Sequence, residues 1–67
     1  MERGEAKAWA QSKWGADGFA WRSRWALNVW KGECRVGKWP SNGDPKTMGG
    51  GHNWVDAIND AMMREGA

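Results

Sequence analysis

Three groups of side chains in this 67-residue sequence could do chemistry. They are a lone thiol and a lone imidazole (Cys34 and His52), a set of scattered carboxylates, and a run of arginines interleaved with tryptophans. Cys34 and His52, joined by Asp44 or Asp56, raise the idea of a metal site or a Cys–His nucleophile. A structural zinc site takes four Cys/His ligands, and this chain has one of each. The nucleophile would need Cys34 beside His52, whereas strand alternation points Cys34 into the core, where a small apolar thiol is at home. Asp56 and Asp60 stand four residues apart on an expected helix and read as solvated neighbours, not as an acid–base pair. No catalytic residue, metal or other cofactor is therefore expected, and the chain reads as a non-enzyme.

The arginine–tryptophan run carries more. Residues 19–39, FAWRSRWALNVWKGECRVGKW, hold four of the seven tryptophans and half of the ten cationic side chains. Cations neutralise phosphates and exposed indoles offer bases a stacking surface. Candidate binding residues are Arg22, Arg24, Asn28, Trp30, Arg35, Lys38 and Trp39. In this reading the cations meet phosphates, the two indoles stack or wedge, and Asn28 reads a base edge. The leading function is non-catalytic nucleic-acid binding, with DNA ahead of RNA. Trp and Arg are also the residues most enriched in protein hot spots. The alternative is thus a small inhibitor or adaptor that docks on a protein target through the same face, a class that includes short virus- or mobile-element-encoded proteins. A homodimer through spare exposed tryptophans is compatible with either, and a weak interaction of the hairpin with anionic lipid is a lesser option.

These residues need a scaffold. Odd positions Phe19, Trp21, Trp25, Leu27 and Val29 are apolar, with Ser23 the break, while Arg22, Arg24 and Asn28 occupy even positions. A period of two predicts a strand with one buried and one wet face. Turning at Lys31-Gly32 gives a hairpin over 19–39. It sets Val29 opposite Cys34, Leu27 opposite Val36 and Trp25 opposite Lys38 on the core face. Asn28 then meets Arg35 and Arg24 meets Trp39 on the wet face. A helix over 19–31 is the rival, since Trp21, Trp25 and Val29 are also spaced by four, but Arg22 and Ser23 would interrupt its apolar arc.

Around that hairpin, residues 1–14 are expected to form a helix with Ala6, Trp9, Ala10 and Trp14 near one face, stopped by Gly15-Ala16-Asp17-Gly18. Residues 40–53 read as a Gly/Pro loop with room for a short third strand near Lys46–Met48 at best. Within it, Gly49, Gly50, Gly51 and His52 precede a helix, so their backbone N–H groups could cradle one phosphate. No Gly-Lys-Ser/Thr follows, and the plainer reading is a flexible lead-in to the cap at Asn53. Residues 54–65 form the clearest expected helix, with Trp54, Ala57, Ile58, Ala61 and Met62 on its core stripe and Met63 at the surface.

The whole is a small single α+β domain over 1–67: helix, Trp-rich hairpin or three-stranded sheet, and a second helix packed across it. The order helix, strands, helix resembles small double-stranded-RNA-binding domains and three-strand-plus-helix DNA-binding domains. The resemblance is one of element order, and it departs at the last helix. That helix opens His52-Asn53-Trp54-Val55-Asp56, where the RNA-binding family carries a basic, lysine-rich start. No family is assigned on this ground.

The net charge is +2, unevenly spread: from Asp17 to Trp39 five cations face Asp17 and Glu33, whereas from His52 onward Arg64 faces Asp56, Asp60 and Glu65. A basic middle favours an anionic partner. One cysteine allows no internal disulfide. No segment is apolar enough for a membrane span or a secretory leader, and a cytoplasmic setting is the default expectation.

Overall fold

A computed structural model describes residues 1–23 and 32–66. The element order is α1 (Arg3–Trp14), β1 (Gly18–Arg22), β2 (Cys34–Lys38), β3 (Lys46–Gly51) and α2 (Trp54–Gly66). The strands form one antiparallel sheet in the order β1-β2-β3. This is the α+β class the sequence predicts, with the three-stranded version of its sheet.

Local chemistry fixes the helix ends. The Glu2 N–H donates to the Glu5 carboxylate at 3.2 Å, a reciprocal cap on the first turn of α1. Gly15, at φ 86°, takes a positive-φ conformation open chiefly to glycine where α1 ends, and donates its N–H to the Gln11 carbonyl at 2.9 Å. At α2 the Asn53 Oδ1 accepts the Asp56 N–H at 2.8 Å, which makes Asn53 the cap its sequence position suggested.

Both helices share core contacts on one face of the sheet, α1 over β1 and α2 over β3 and β2. Five of the nine buried apolar residues among those described are alanines: Ala6, Ala10, Ala20, Ala57 and Ala61. Such small side chains hold a core together only if the backbones come close, and glycine makes that possible. A Cβ on Gly49 would sit 2.5 Å from the Ala57 carbonyl oxygen and 2.6 Å from the Ala61 nitrogen. One on Gly18 would sit 2.3 Å from the Ala10 carbonyl oxygen. Trp54, 5% exposed, and Ile58 fill the remaining volume, with Trp9, Trp14 and Met48 packed at the margin.

Close approach explains where the sequence expectations change. The run Gly49-Gly50-Gly51 is not loop but the second half of β3, so the 40–53 loop is shorter than expected and the third strand longer. The β2 strand pairs through Ala20↔Val36 and Arg22↔Cys34 on one side and Val36↔Gly49 on the other. With both its edges taken by β1 and β3, Cys34, Val36 and Lys38 have partners other than those expected from the Lys31-Gly32 turn. Leu27, Val29 and Trp25, the expected partners, lie outside the described residues. Alternation in β1 is present, but its sides are reversed. Gly18 and Ala20 are buried against the helices, and Phe19 and Trp21 stand half-buried on the other face. Bulky side chains do not fit under α1 where only a glycine clears its backbone. Met62 shifts for a similar reason: Ala61 meets the sheet, and Met62 is largely exposed alongside Met63.

Gly49→Ala is predicted to destabilise the fold by ~1–3 kcal/mol or more through overpacking. Gly4→Ala, where a Cβ meets open space on α1, is predicted to stabilise by up to ~1 kcal/mol. Urea denaturation of the two variants beside the parent checks both signs.

Candidate functional site

The register distributes the predicted binding residues over two faces and two ends of the sheet. Arg22 closes β1 on the helix side, opposite Cys34, which in turn faces Gly51 at the end of β3. Three residues later α2 begins, and the exposed Arg22 guanidinium lies over the Trp54 ring at 5.7 Å from its centroid. This cation–π contact holds a positive charge at the amino-terminal end of α2, where the helix dipole adds its own positive field. The connection that leaves β1 here contains, by sequence, Arg24 and Lys31. Arg24, Asn28 and Trp30 lie outside the described residues.

Arg35 departs from expectation. It stands on the opposite face to Arg22, in register with Trp21 and Gly50, and is only 2% exposed. Its Nη1 donates to the Gly32 carbonyl and, at 3.4 Å, to the Cys34 carbonyl. Among the described residues its Nη2 has no partner. The expected wet face carrying Arg22 and Arg35 together is therefore not assembled. Lys38 is exposed at the far end of β2, in register with Gly18 and Lys46, and its charge acts on Glu65 of α2. It too belongs to the helix side.

Trp39 is 43% exposed and belongs to an aromatic group on the face away from the helices. Its ring meets Phe19 edge-on at 5.8 Å and 67°, and Trp21 at 5.3 Å and 78°. Such edge-to-face geometry is worth ~0.5–1.5 kcal/mol per pair beyond area burial, and it holds the Trp39 indole in one orientation. Beside it, Phe19, Trp39, Pro40 and Ser41 line an open groove of about 270 Å³. Lys7 reaches over the Phe19 ring from α1, its Nζ 5.0 Å from the centroid. Sequence reasoning missed Lys7, Phe19 and Pro40 as site residues. The only hint was the Trp39-Pro40 pair at the strand's end; Lys7 joins through tertiary packing alone.

The expected phosphate cradle at Gly49-Gly50-Gly51 is already in use. All three glycines are buried in β3, and the Gly50 N–H donates to the Asp60 carboxylate at 3.0 Å. Arg64 holds the same Asp60 oxygen at 2.9 Å. A carboxylate of the chain itself thus takes the amide that an external anion would need. Asp60 ties β3 to α2, and Asp56 receives the Asn53 amide at 3.3 Å, so both serve local structure. His52 is exposed, and its backbone carbonyl accepts the Cys34 Sγ–H at 3.8 Å. Burial pushes the Cys34 thiol above its ordinary value, against the opposing charge of Arg22. Among the described residues no cluster of three or more His, Cys, Asp or Glu could hold a metal ion, and no helix is long and apolar enough to cross a membrane.

Comparison with known protein families, curated proteins and solved structures finds no match to this chain.

One carboxylate offers a pH test of helix docking. Glu65 accepts the Trp14 Nε1–H at 2.7 Å and pairs with Lys13 at 3.0 Å. The Trp14 hydrogen bond, then Lys13, lower its pKa below the ordinary glutamate value. The stabilisation is present above the unfolded value of about 4.3 and is lost as pH falls through the lowered folded one. Glu65→Gln is predicted to lower the thermal midpoint at neutral pH. The gap to the parent should close when both are melted near pH ~2.

Proposed function

We propose that this chain is a non-catalytic nucleic-acid-binding protein whose polymer runs along β1, an outer strand of the described sheet. The observation that carries this reading is Arg22, held exposed on Trp54 at the amino-terminal end of α2. A fixed guanidinium and a helix amino terminus converge at one end of the described sheet. That is the electrostatic footprint a phosphate backbone recognises. Lys7 lies toward the other end of the same strand, over Phe19. Arg22 and Phe19 are three residues apart, about 10 Å along the strand and on its two faces, so a polymer that follows the outer edge of β1 can meet both cations.

DNA stands ahead of duplex RNA. The start of α2 carries Asp56, with no lysine cluster, and lacks the basic entry that double-stranded-RNA-binding domains use there. With Arg22 and Lys7 engaged, the affinity is modest and its logarithm falls with log salt at a slope of about −2.

The test is a tryptophan-fluorescence titration with duplex DNA, single-stranded DNA and RNA, at low salt and at ~0.15 M salt. Saturable quenching that fades as salt rises is expected, with Arg22→Gln reducing the slope by about one. No quenching by any polymer at low salt would contradict the proposal. Salt-insensitive binding to a protein target, lost in Trp39→Ala, would favour the docking alternative instead.

A further inference from the structure

We propose that the groove between Phe19 and Trp39 is a subsite for one unstacked nucleobase, with Lys7 meeting the phosphate beside it. This rests on the nucleic-acid reading and specifies a second contact, on the sheet face away from Arg22.

The groove has the size, walls and charge for that ligand. Its volume of about 270 Å³ falls below the ~300–1,000 Å³ of sites for drug-sized molecules, a scale that suits a single heterocycle. Its main walls are aromatic. Trp39 is held by edge-to-face contacts with Trp21 and Phe19, so a stacking partner finds the indole already oriented. Ser41 gives the lining a hydroxyl, and Lys7 places a positive charge over Phe19, one of the walls. An apolar peptide would use the walls and leave the ammonium without a role. A nucleotide uses both, its base on the indole and its phosphate on Lys7. Unpaired bases are splayed and stacked on aromatic side chains in just this way in single-strand recognition.

The experiment compares a blunt duplex DNA, the same duplex with a short unpaired tail, and the tailed duplex with abasic tail sugars. The full chain is titrated with each. Tighter binding to the tailed duplex is expected, with the abasic tail behaving like the blunt end. Trp39→Ala should abolish the tail preference, a loss of about 5- to 150-fold on the tailed duplex, and should leave the blunt duplex unaffected. Trp39→Phe should restore most of it, which separates stacking from misfolding, and Lys7→Gln, which removes a phosphate contact, should weaken all three DNAs. Equal binding to abasic and base-bearing tails would overturn the inference, as would an equal loss on all three DNAs in Trp39→Ala. Binding of the parent to all three DNAs without preference would do the same and leave the nucleic-acid reading standing. Binding to none would remove both.

Discussion

Everything in this fold depends on how closely two helices approach a sheet. Gly18 beneath α1, and Gly49 and Gly51 beneath α2, leave no room for even one methyl group. The facing residues are alanines, so the helix backbones come down onto the strands and the core is thin. A chain of this length is expected to hold only ~0.05–0.15 kcal/mol of stability per residue. It reaches that with few large buried side chains, of which Trp54 is the main one. Contact of backbone with backbone replaces the bulk that a larger domain would bury.

The same constraint decides where the tryptophans go. Large rings cannot enter the space under α1, so Phe19 and Trp21 are turned to the opposite face, where Trp39 meets them. Trp14 sits at the helix margin, edge-on to Trp9, and bonds Glu65 across to α2. A core built from alanine and glycine therefore generates an aromatic surface on its far side. That surface and the Arg22–Trp54 contact are the two features that the proposed function uses. They lie on opposite faces of the sheet and are joined by the short outer strand β1.

Much of the scaffold was legible in the sequence. Alanine-rich periodicity, the acidic first turn and Gly15 marked α1, while Asn53 and the Trp54–Ile58–Ala61 stripe marked α2. Strand alternation was visible in β1, but the pattern Trp21, Trp25, Leu27, Val29 runs on past Arg22, where β1 ends, and pointed to a longer hairpin with the wrong partners. Glycine disfavours strands when taken alone, so the run 49–51 read as loop. The reason those residues are in a strand is the helix lying on them, which no local pattern encodes. The site fared likewise: Trp39 and Arg22 were named correctly as exposed, but nothing local separates Arg22 from Arg35. Which of them is buried depends on a register that only the assembled sheet fixes.

The central claim is that a nucleic acid follows β1 from Arg22 to the Trp39 groove. Amide and indole NMR shifts, recorded while tailed duplex DNA is added to the labelled chain, address it most directly. Perturbations are expected to concentrate at Arg22, Phe19, Lys7 and the Trp39 indole and to leave the exposed Met63 of α2 unmoved. Shifts centred on Met62 and Met63, or no shifts at low salt, would contradict it.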